Sequence, residues 1–247
     1  MMKKILAAVL FLAATTTAGA QTNLQFHYDL GHSLSPASLA SRPSVTTTIE
    51  HFSADRWGTN FFFGDVDYYH DGVAGFYWEL SREFFISRNK QFALHLEYDG
   101  GESANQLTNY GLRFQHCLLA GPAWNWHSTD FSRTFSLQLL YKQYFKGQHN
   151  DAFSSAQATA VWGVNFVRGL FTFSGYIDFW YDDTVDGDIV MGAEPQLWFN
   201  ISKLKGMNDV KLSLGTEVEV SNNFIYPDNG VNDRFYAIPT IAAKWEF

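Results

Sequence analysis

The side chains of this sequence that could do chemistry are carboxylates that alternate with aromatic rings along short segments. Carboxylates accept hydrogen bonds from hydroxyl or amine groups, and aromatic rings offer stacking faces, each worth about 1–3 kcal/mol in nucleic-acid binders. Together they predict a binding surface for a small, ring-bearing, uncharged or cationic solute. The candidate residues are Glu50, Phe61, Phe63, Asp65, Asp67, Tyr77, Glu79, Glu83, Glu97, Arg113, Tyr176 and Asp178. A simpler interpretation stays open, in which the rings pack to narrow an interior and the acids bind one another through water.

The elements that must position these residues are β-strands, because the polar and apolar positions alternate with a period of two. The final segment, residues 234–247, is the clearest example. One of its faces carries Trp245 and Phe247, whereas the other carries Lys244 and Glu246. A strand of this kind that ends on an aromatic residue is typical of a membrane barrel, whose last strand pairs with the first. An edge strand of a soluble sandwich is the alternative.

Segments of this kind recur along the whole chain and predict an all-β fold, a transmembrane antiparallel up-and-down β-barrel of about twelve strands. Most charged residues of these segments lie on the same one of the two alternating faces. This distribution fits such a barrel, because a charged side chain on the lipid face costs roughly 2–4 kcal/mol for Arg or Lys near the midplane. Arg82 lies in the outward register, which is acceptable only near a barrel rim. The expected strands lie near 23–31, 44–53, 58–69, 74–86, 91–99, 108–119, 131–145, 155–166, 170–182, 188–201, 209–221 and 234–247.

The two ends of the chain predict its compartment. Residues 1–20 have a basic start, a short apolar run and a small-residue close, which indicate a secretory signal peptide. Residues 21–247 then form one barrel domain, in the bacterial outer membrane, with both termini periplasmic. We also expect Phe247 to be recognised by the barrel-insertion machinery and the barrel wall to contact outer-membrane lipid. The lone cysteine, Cys117, excludes an internal disulfide.

Composition excludes several function classes. The formal net charge is −8, and loss of the two signal lysines makes it about −10, so nucleic acid is not an expected partner. Aromatic residues make up 17% of the chain, yet its mean hydropathy is only −0.17. The mean hydropathy of a membrane barrel takes such a value because apolar lipid-facing residues alternate with polar lumen-facing ones.

An enzyme is the weaker hypothesis. The sequence has no Gly-x-Ser-x-Gly, His-Glu-x-x-His or phosphate loop. His70-Asp71 and His149-Asn150-Asp151 occur in expected turns and are ordinary turn sequences. His95 and Glu97 share one strand face, but a metal site needs further ligands that spacing cannot place. We therefore predict no catalytic residue, no metal site and no cofactor.

Three segments carry a family resemblance. Val45-Thr-Thr-Thr-Ile-Glu-His-Phe52, Trp57-Gly-Thr-Asn-Phe-Phe-Phe-Gly-Asp65 and Gly75-Phe-Tyr-Trp-Glu-Leu-Ser-Arg-Glu-Phe84 resemble the N-terminal third of the nucleoside-specific (Tsx-like) channel family. The resemblance implies a twelve-stranded outer-membrane barrel that passes nucleosides through a narrow lumen of aromatic and ionisable side chains. By carry-over, its lumen residues would be Glu50, Phe61, Phe63, Asp65, Glu79 and Glu83. The later strands match no motif of that family.

The sequence thus predicts a passive outer-membrane channel for small ring-bearing solutes, with nucleosides as the leading substrate. Two alternatives remain, an outer-membrane barrel hydrolase and a non-conducting barrel for adhesion or structure. The second would normally carry long external loops, and only residues 31–43 and 222–233 approach that length.

Overall fold

The protein is a closed antiparallel β-barrel, here described from a computed structural model that covers residues 20–103, 115–147, 151–182, 188–225 and 234–247. Each strand pairs with its neighbours in the chain, and the last strand also pairs with the first. The strands are β1 (Gln21–Asp29), β2 (Val45–Ala54), β3 (Gly58–Tyr69), β4 (Gly72–Phe85), β5 (Phe92–Ser103), β6 (Cys117–His127), β7 (Arg133–Tyr144), β8 (Phe153–Phe166), β9 (Phe171–Tyr181), β10 (Ile189–Ala193), β11 (Gln196–Asn200), β12 (Leu212–Asn222) and β13 (Tyr236–Glu246).

The thirteen strand segments make twelve strands, because β10 and β11 are two halves of one. Both halves pair with β9 on one side and with β12 on the other. The break falls at Glu194 and Pro195, where proline has no N–H group to donate to a sheet. The predicted all-β, up-and-down barrel of about twelve strands is confirmed.

The closing seam joins β1 to β13. Its register pairs Asn23 with Glu246 and Asp29 with Thr240, and the backbone N–H of Phe247 donates to the carbonyl of Thr22 at 3.0 Å. Closure leaves no free edge among the described strands, which is the condition for a sheet to cross hydrocarbon. The start of β1 and the end of β13 therefore lie at the same rim of the barrel, which we call the terminal rim. The opposite rim is called the far rim.

The outer wall is apolar. Ile241 on β13 is 64% exposed, Phe247 just after β13 is 74% exposed, and Leu139 on β7 is 67% exposed. Their neighbours of opposite parity, such as Ala242 and Leu140, are buried. The alternation predicted for residues 234–247 is therefore present, with Trp245 and Phe247 outside and Lys244 inside. An outer belt of this kind is the lipid-facing surface of a transmembrane barrel.

The outward-facing Arg82 lies near the terminal rim. Its Nη2 donates to both carboxylate oxygens of Asp55, at 3.0 Å each, and Asp55 belongs to the turn between β2 and β3. The hydrogen bond from Arg82 lowers the pKa of the Asp55 carboxyl below its usual value. This position explains how the outer wall tolerates a charged side chain.

One predicted connection is wrong. The sequence predicts a strand at 108–119, of which 108–114 lie outside the described residues, and a connection at 120–130, but β6 spans Cys117–His127. The cause is the pair Gly121-Pro122, which normally indicates a turn. Here the β6–β7 ladder skips these two residues, and a Cβ on Gly121 would lie 2.0 Å from the carbonyl oxygen of Leu139. The two backbones therefore approach too closely for any residue but glycine.

The connection between β1 and β2 contains two short helices, α1 (Gly31–Leu34) and α2 (Pro36–Leu39). Among the described residues, no helix is long and apolar enough to span a membrane. The predicted signal peptide at residues 1–20 falls almost wholly outside the described residues and stays a prediction.

Candidate functional site: the barrel lumen

The inner wall of β2, β3 and β4 carries acids and rings at matched heights. The register places Glu50 opposite Phe63, and Phe63 opposite Glu79. One step towards the far rim, Asp65 lies opposite Tyr77. Because directly paired residues of antiparallel strands share a face, these side chains form rows across the wall.

Threonine hydroxyls hold two of these carboxylates in place. Thr48 donates to Asp65 Oδ1 at 2.5 Å, and Thr46 donates to Asp67 Oδ1 at 2.6 Å. Hydrogen bonds of this length to carboxylates are charge-assisted and fix the acceptor. The two acids are therefore oriented by the wall itself.

Three rings follow one another on the inner face. The Phe61 and Phe63 centroids lie 6.1 Å apart, and the Phe63 and Tyr77 centroids 5.8 Å apart. The Tyr77 hydroxyl donates to Glu79 Oε1 at 2.8 Å. We call Phe61, Phe63 and Tyr77 the aromatic run; it joins an apolar surface to a carboxylate.

A group of carboxylates lies next to the aromatic run. One oxygen from each of Glu79, Glu97 and Asp99 lies within 4.8 Å of the others, and we call these residues the central acidic cluster. Asp178 on β9, which receives a 2.5 Å hydrogen bond from Thr159, also lies on the inner face. The middle of the lumen is therefore strongly acidic.

Two lumen lysines lie against aromatic rings. Lys142 Nζ donates to Gln157 Oε1 at 2.8 Å and lies 5.2 Å and 5.0 Å from the ring centroids of Tyr144 and Trp180. Lys244 Nζ lies 4.2 Å from the ring centroid of Trp198. Cation–π contact stabilises an ammonium group over an aromatic face. The inner wall thus holds two of its own ammonium groups against aromatic rings.

His95 is enclosed by acids. Its Nδ1 lies 3.4 Å from Glu83 Oε1 and its Nε2 lies 3.0 Å from Glu97 Oε2, while Asn125 donates to the other Glu83 oxygen at 2.7 Å. A general base needs a ring nitrogen that faces the nucleophile. Both nitrogens of His95 face carboxylates instead, so this arrangement orients side chains.

The far end of the lumen is narrowed by the connection between β1 and β2, a feature the sequence analysis missed. Leu39 is 1% exposed and packs with Ile225, Tyr236 and Ile238. Since Tyr236 and Ile238 belong to the inner parity of β13, this small apolar cluster lies inside the barrel. Short amphipathic turns of this kind carry no period that a strand pattern could reveal.

Arg42 fastens the same connection. Its Nη2 donates to Glu219 Oε2 at 2.7 Å, and its Nε donates to Asp29 Oδ2 at 3.2 Å. Burial lowers the pKa of the guanidinium, but the charges of Glu219 and Asp29 outweigh burial and raise that pKa above its ordinary value. A fixed positive charge therefore lies at the far end of the lumen, next to Asp29 and Glu219.

The register and burial place eleven of the twelve candidate residues on the inner face, and Arg113 lies outside the described residues. Glu79 meets Glu97, and Phe63 meets both Phe61 and Tyr77, whereas Asp67 lies apart, towards Arg42. The inner-face candidates are Glu50, Phe61, Phe63, Asp65, Asp67, Tyr77, Glu79, Glu83, Glu97, Tyr176 and Asp178.

Two residues of the site were not found from the sequence. Asp99 continues the inward parity of His95 and Glu97, but it precedes Gly100-Gly101, which favoured a strand end at 99. The strand continues to Ser103, so Asp99 faces the lumen opposite Glu79. Arg42 lies outside any strand, and only its contacts with Asp29 and Glu219 reveal its position.

Residues 20–247 match the family described as "Domain of unknown function (DUF5020)". The chain belongs to the DUF5020 family. Among curated proteins, none matches this DUF5020 chain.

Solved structures show that the DUF5020 barrel has a known architecture. The structure described as the NanC porin matches with a TM-score of 0.59 at 9% identity, over 91% of this chain and 98% of that one. The KdgM porin matches with a TM-score of 0.51 at 9% identity, over 92% and 99%. The COG4313 outer membrane channel from Pseudomonas putida F1 matches with a TM-score of 0.50 at 9% identity, over 94% and 97%. At this identity, the similarity establishes the porin-type fold of the DUF5020 chain.

Proposed function

We propose that this protein is a passive outer-membrane channel for small ring-bearing solutes that are uncharged or cationic, with nucleosides as the leading substrate. The observation that carries the proposal is the aromatic run beside carboxylates on the inner wall. The Phe63 and Tyr77 centroids lie 5.8 Å apart, and Tyr77 donates to Glu79. A nucleoside needs both features, a stacking face for its base and acceptors for its hydroxyl groups.

Weak sites in series suit conduction better than one tight site. A channel must bind a solute enough to admit it, yet release it quickly. The rings and acids of this lumen extend along several strands. The short motifs that resemble Tsx-like channels lie on the same part of the wall, β2 to β4.

The charge of the lumen supports a preference for cations over anions. Acids project inward from β2, β3, β4, β5, β9 and β12. Lys142 and Lys244, two of the positive groups inside, are both held over aromatic rings. A ring of acids favours cations in a pore.

The fold supports the location of the channel. An apolar outer belt requires a membrane, and closed barrels with this belt are typical of the bacterial outer membrane. We place both termini on the periplasmic side, with a cleaved signal peptide at residues 1–20 and the barrel-insertion machinery acting on Phe247. Under this orientation the connection that contains Arg42 faces the cell exterior.

Planar-bilayer recordings on the purified chain test the function. We expect stepwise ionic conductance, a reversal potential that indicates cation selectivity at 0.1 M salt, and transient current block by uridine or adenosine. The selectivity is expected to weaken at 1 M salt, where the screening length falls from about 10 Å to about 3 Å.

Liposome swelling supplies a matched control, with sorbitol as an uncharged polyol of comparable size and glucuronate as an anion. Nucleosides should permeate faster than either. Failure of nucleosides both to permeate and to block the current would remove the nucleoside proposal. A complete lack of conductance would remove the channel and favour a structural barrel.

A further inference from the structure

The central acidic cluster brings together three carboxylates on two adjacent strands. Glu79 on β4 lies directly opposite Asp99 on β5, and Glu97 precedes Asp99 by two residues on the same face. One oxygen of each residue lies within 4.8 Å of the others. Ionised carboxylates at this separation repel one another strongly unless a cation or a shared proton lies between them.

Among the described residues, Lys142 and His95 contact carboxylates of the cluster. Lys142 Nζ lies 3.8 Å from Asp99 Oδ2, the same oxygen to which Cys117 Sγ donates at 3.2 Å. His95 Nε2 lies 3.0 Å from Glu97 Oε2. These contacts fix the orientation of the carboxylates but leave other oxygens available.

The remaining Asp99 oxygen is an independent indication of a ligand. Asp99 is 4% exposed, and its Oδ1 is buried with no hydrogen-bond partner among the described residues. An unsatisfied buried acceptor costs about 1–3 kcal/mol, and more when it is charged. A partner that supplies positive charge to this oxygen would remove that cost.

We propose that Glu79, Glu97 and Asp99 bind a hard divalent cation of the Ca²⁺ type. Calcium prefers carboxylate oxygens at about 2.3–2.6 Å, so two oxygens on opposite sides of one ion lie roughly 5 Å apart. The three cluster oxygens lie within 4.8 Å of one another, which is inside this limit. Water completes the six to eight ligands of such an ion, and softer metals that require several nitrogen or sulfur ligands are disfavoured.

Equilibrium binding tests the site without any transport step, so the outcome is separate from the channel proposal. The full-length protein in detergent is freed of metal with a chelator and titrated with Ca²⁺ by calorimetry. We expect saturable binding of one ion per chain. Tb³⁺ is the second probe, because Tyr77, whose hydroxyl donates to Glu79 at 2.8 Å, should sensitise its emission. Added Ca²⁺ should quench that emission by displacement.

Substitutions make the test specific. Asp99→Asn and Glu97→Gln should each weaken Ca²⁺ binding by roughly tenfold or more, the scale seen when a metal site loses supporting groups. Glu246→Gln, which removes an exposed carboxylate at the terminal rim, should leave the affinity unchanged. Circular dichroism and heat-modifiable gel mobility verify that each variant is folded.

Two results would overturn the proposal. One is the lack of saturable binding by the wild-type protein up to millimolar Ca²⁺. The other is equal affinity in wild type, Glu97→Gln and Glu246→Gln, which would place the ion elsewhere. If Asp99→Asn does not fold, the Ca²⁺ affinity of Glu97→Gln tests the site by itself.

Discussion

Arg42 donates a 2.7 Å hydrogen bond to Glu219, which lies 177 residues away on β12. The contact ties the connection between β1 and β2 to the barrel wall. It also places a guanidinium group among the acids of the far end. A single side chain therefore affects both the width and the charge of the lumen.

We predict that Arg42→Ala increases single-channel conductance and cation selectivity. The substitution releases the connection from Asp29 and Glu219 and removes the positive charge that opposes cation entry. Single-channel recordings measure both quantities. Arg88→Ala, in an exposed terminal-rim turn, is the matched control. Unchanged conductance in Arg42→Ala would mean that this connection does not limit the flow.

The aromatic run leads to a second prediction. Phe63→Ala should weaken nucleoside block by about 1–3 kcal/mol, or roughly 5- to 150-fold, because the central stacking face is lost. Phe26→Ala removes a ring from the outer wall, where Phe26 is 51% exposed, and should leave block unchanged. Nucleoside titrations of the ionic current supply the comparison. Equal effects of the two substitutions would argue against stacking in the lumen.

Lys142 leads to a prediction about stability. Lys142→Met should lower the free energy of unfolding by about 3–5 kcal/mol, because Asp99 would keep a buried charge without its partner. Urea titrations of the folded barrel in chelator, which excludes metal effects, measure this change.

A double substitution separates charge from packing at the same site. Lys142→Met combined with Asp99→Asn should recover much of the lost stability, as a double-mutant cycle detects. Lys146→Met is the control, since Lys146 is exposed and its ion pair with Asp151 lies at the surface. If the double variant recovers no stability, the loss in Lys142→Met comes from the missing packing of Lys142 against Trp180 and Tyr144.

The last residue leads to a prediction about assembly. Deletion of Phe247 should slow insertion into membranes that contain the barrel-insertion machinery, while spontaneous insertion into pure lipid changes little. Phe131→Ala, in the exposed turn before β7, removes a ring at the same rim and serves as the control. Pulse-chase protease protection measures both rates. Equal insertion of the deleted and intact chains would mean that Phe247 only anchors the rim.

Much of the fold could be predicted because lipid imposes a strict alternation on each strand. Trp245 and Lys244 fall on opposite faces as the pattern requires, and Arg82 is acceptable only because Asp55 lies at the rim. The strand β6 could not be predicted, because Gly121-Pro122 normally indicates a turn. The structure keeps it within the sheet by omitting two ladder pairs.

The acidic and aromatic character of the lumen could be predicted from the sequence, but the contacts between its residues could not. Parity identified Glu79 and Glu97 as inward residues, yet their meeting with Asp99 depends on the register between β4 and β5. The position of Arg42 could not be predicted from alternation, because Arg42 lies in a connection whose path depends on the packing of Leu39 against Ile238. Alternation specifies the face of a residue, and only pairing specifies its neighbours.

The seam between β1 and β13 has a kinetic consequence. Residues 23–29 find their partners at 240–246, so the contact with the greatest sequence separation is also the one that removes the last free edges. Folding slows as contacting residues lie further apart in the chain. We therefore expect the barrel to fold as one cooperative unit after synthesis ends. A chain truncated before β13 would expose two unpaired strands to hydrocarbon and become a substrate for periplasmic proteases.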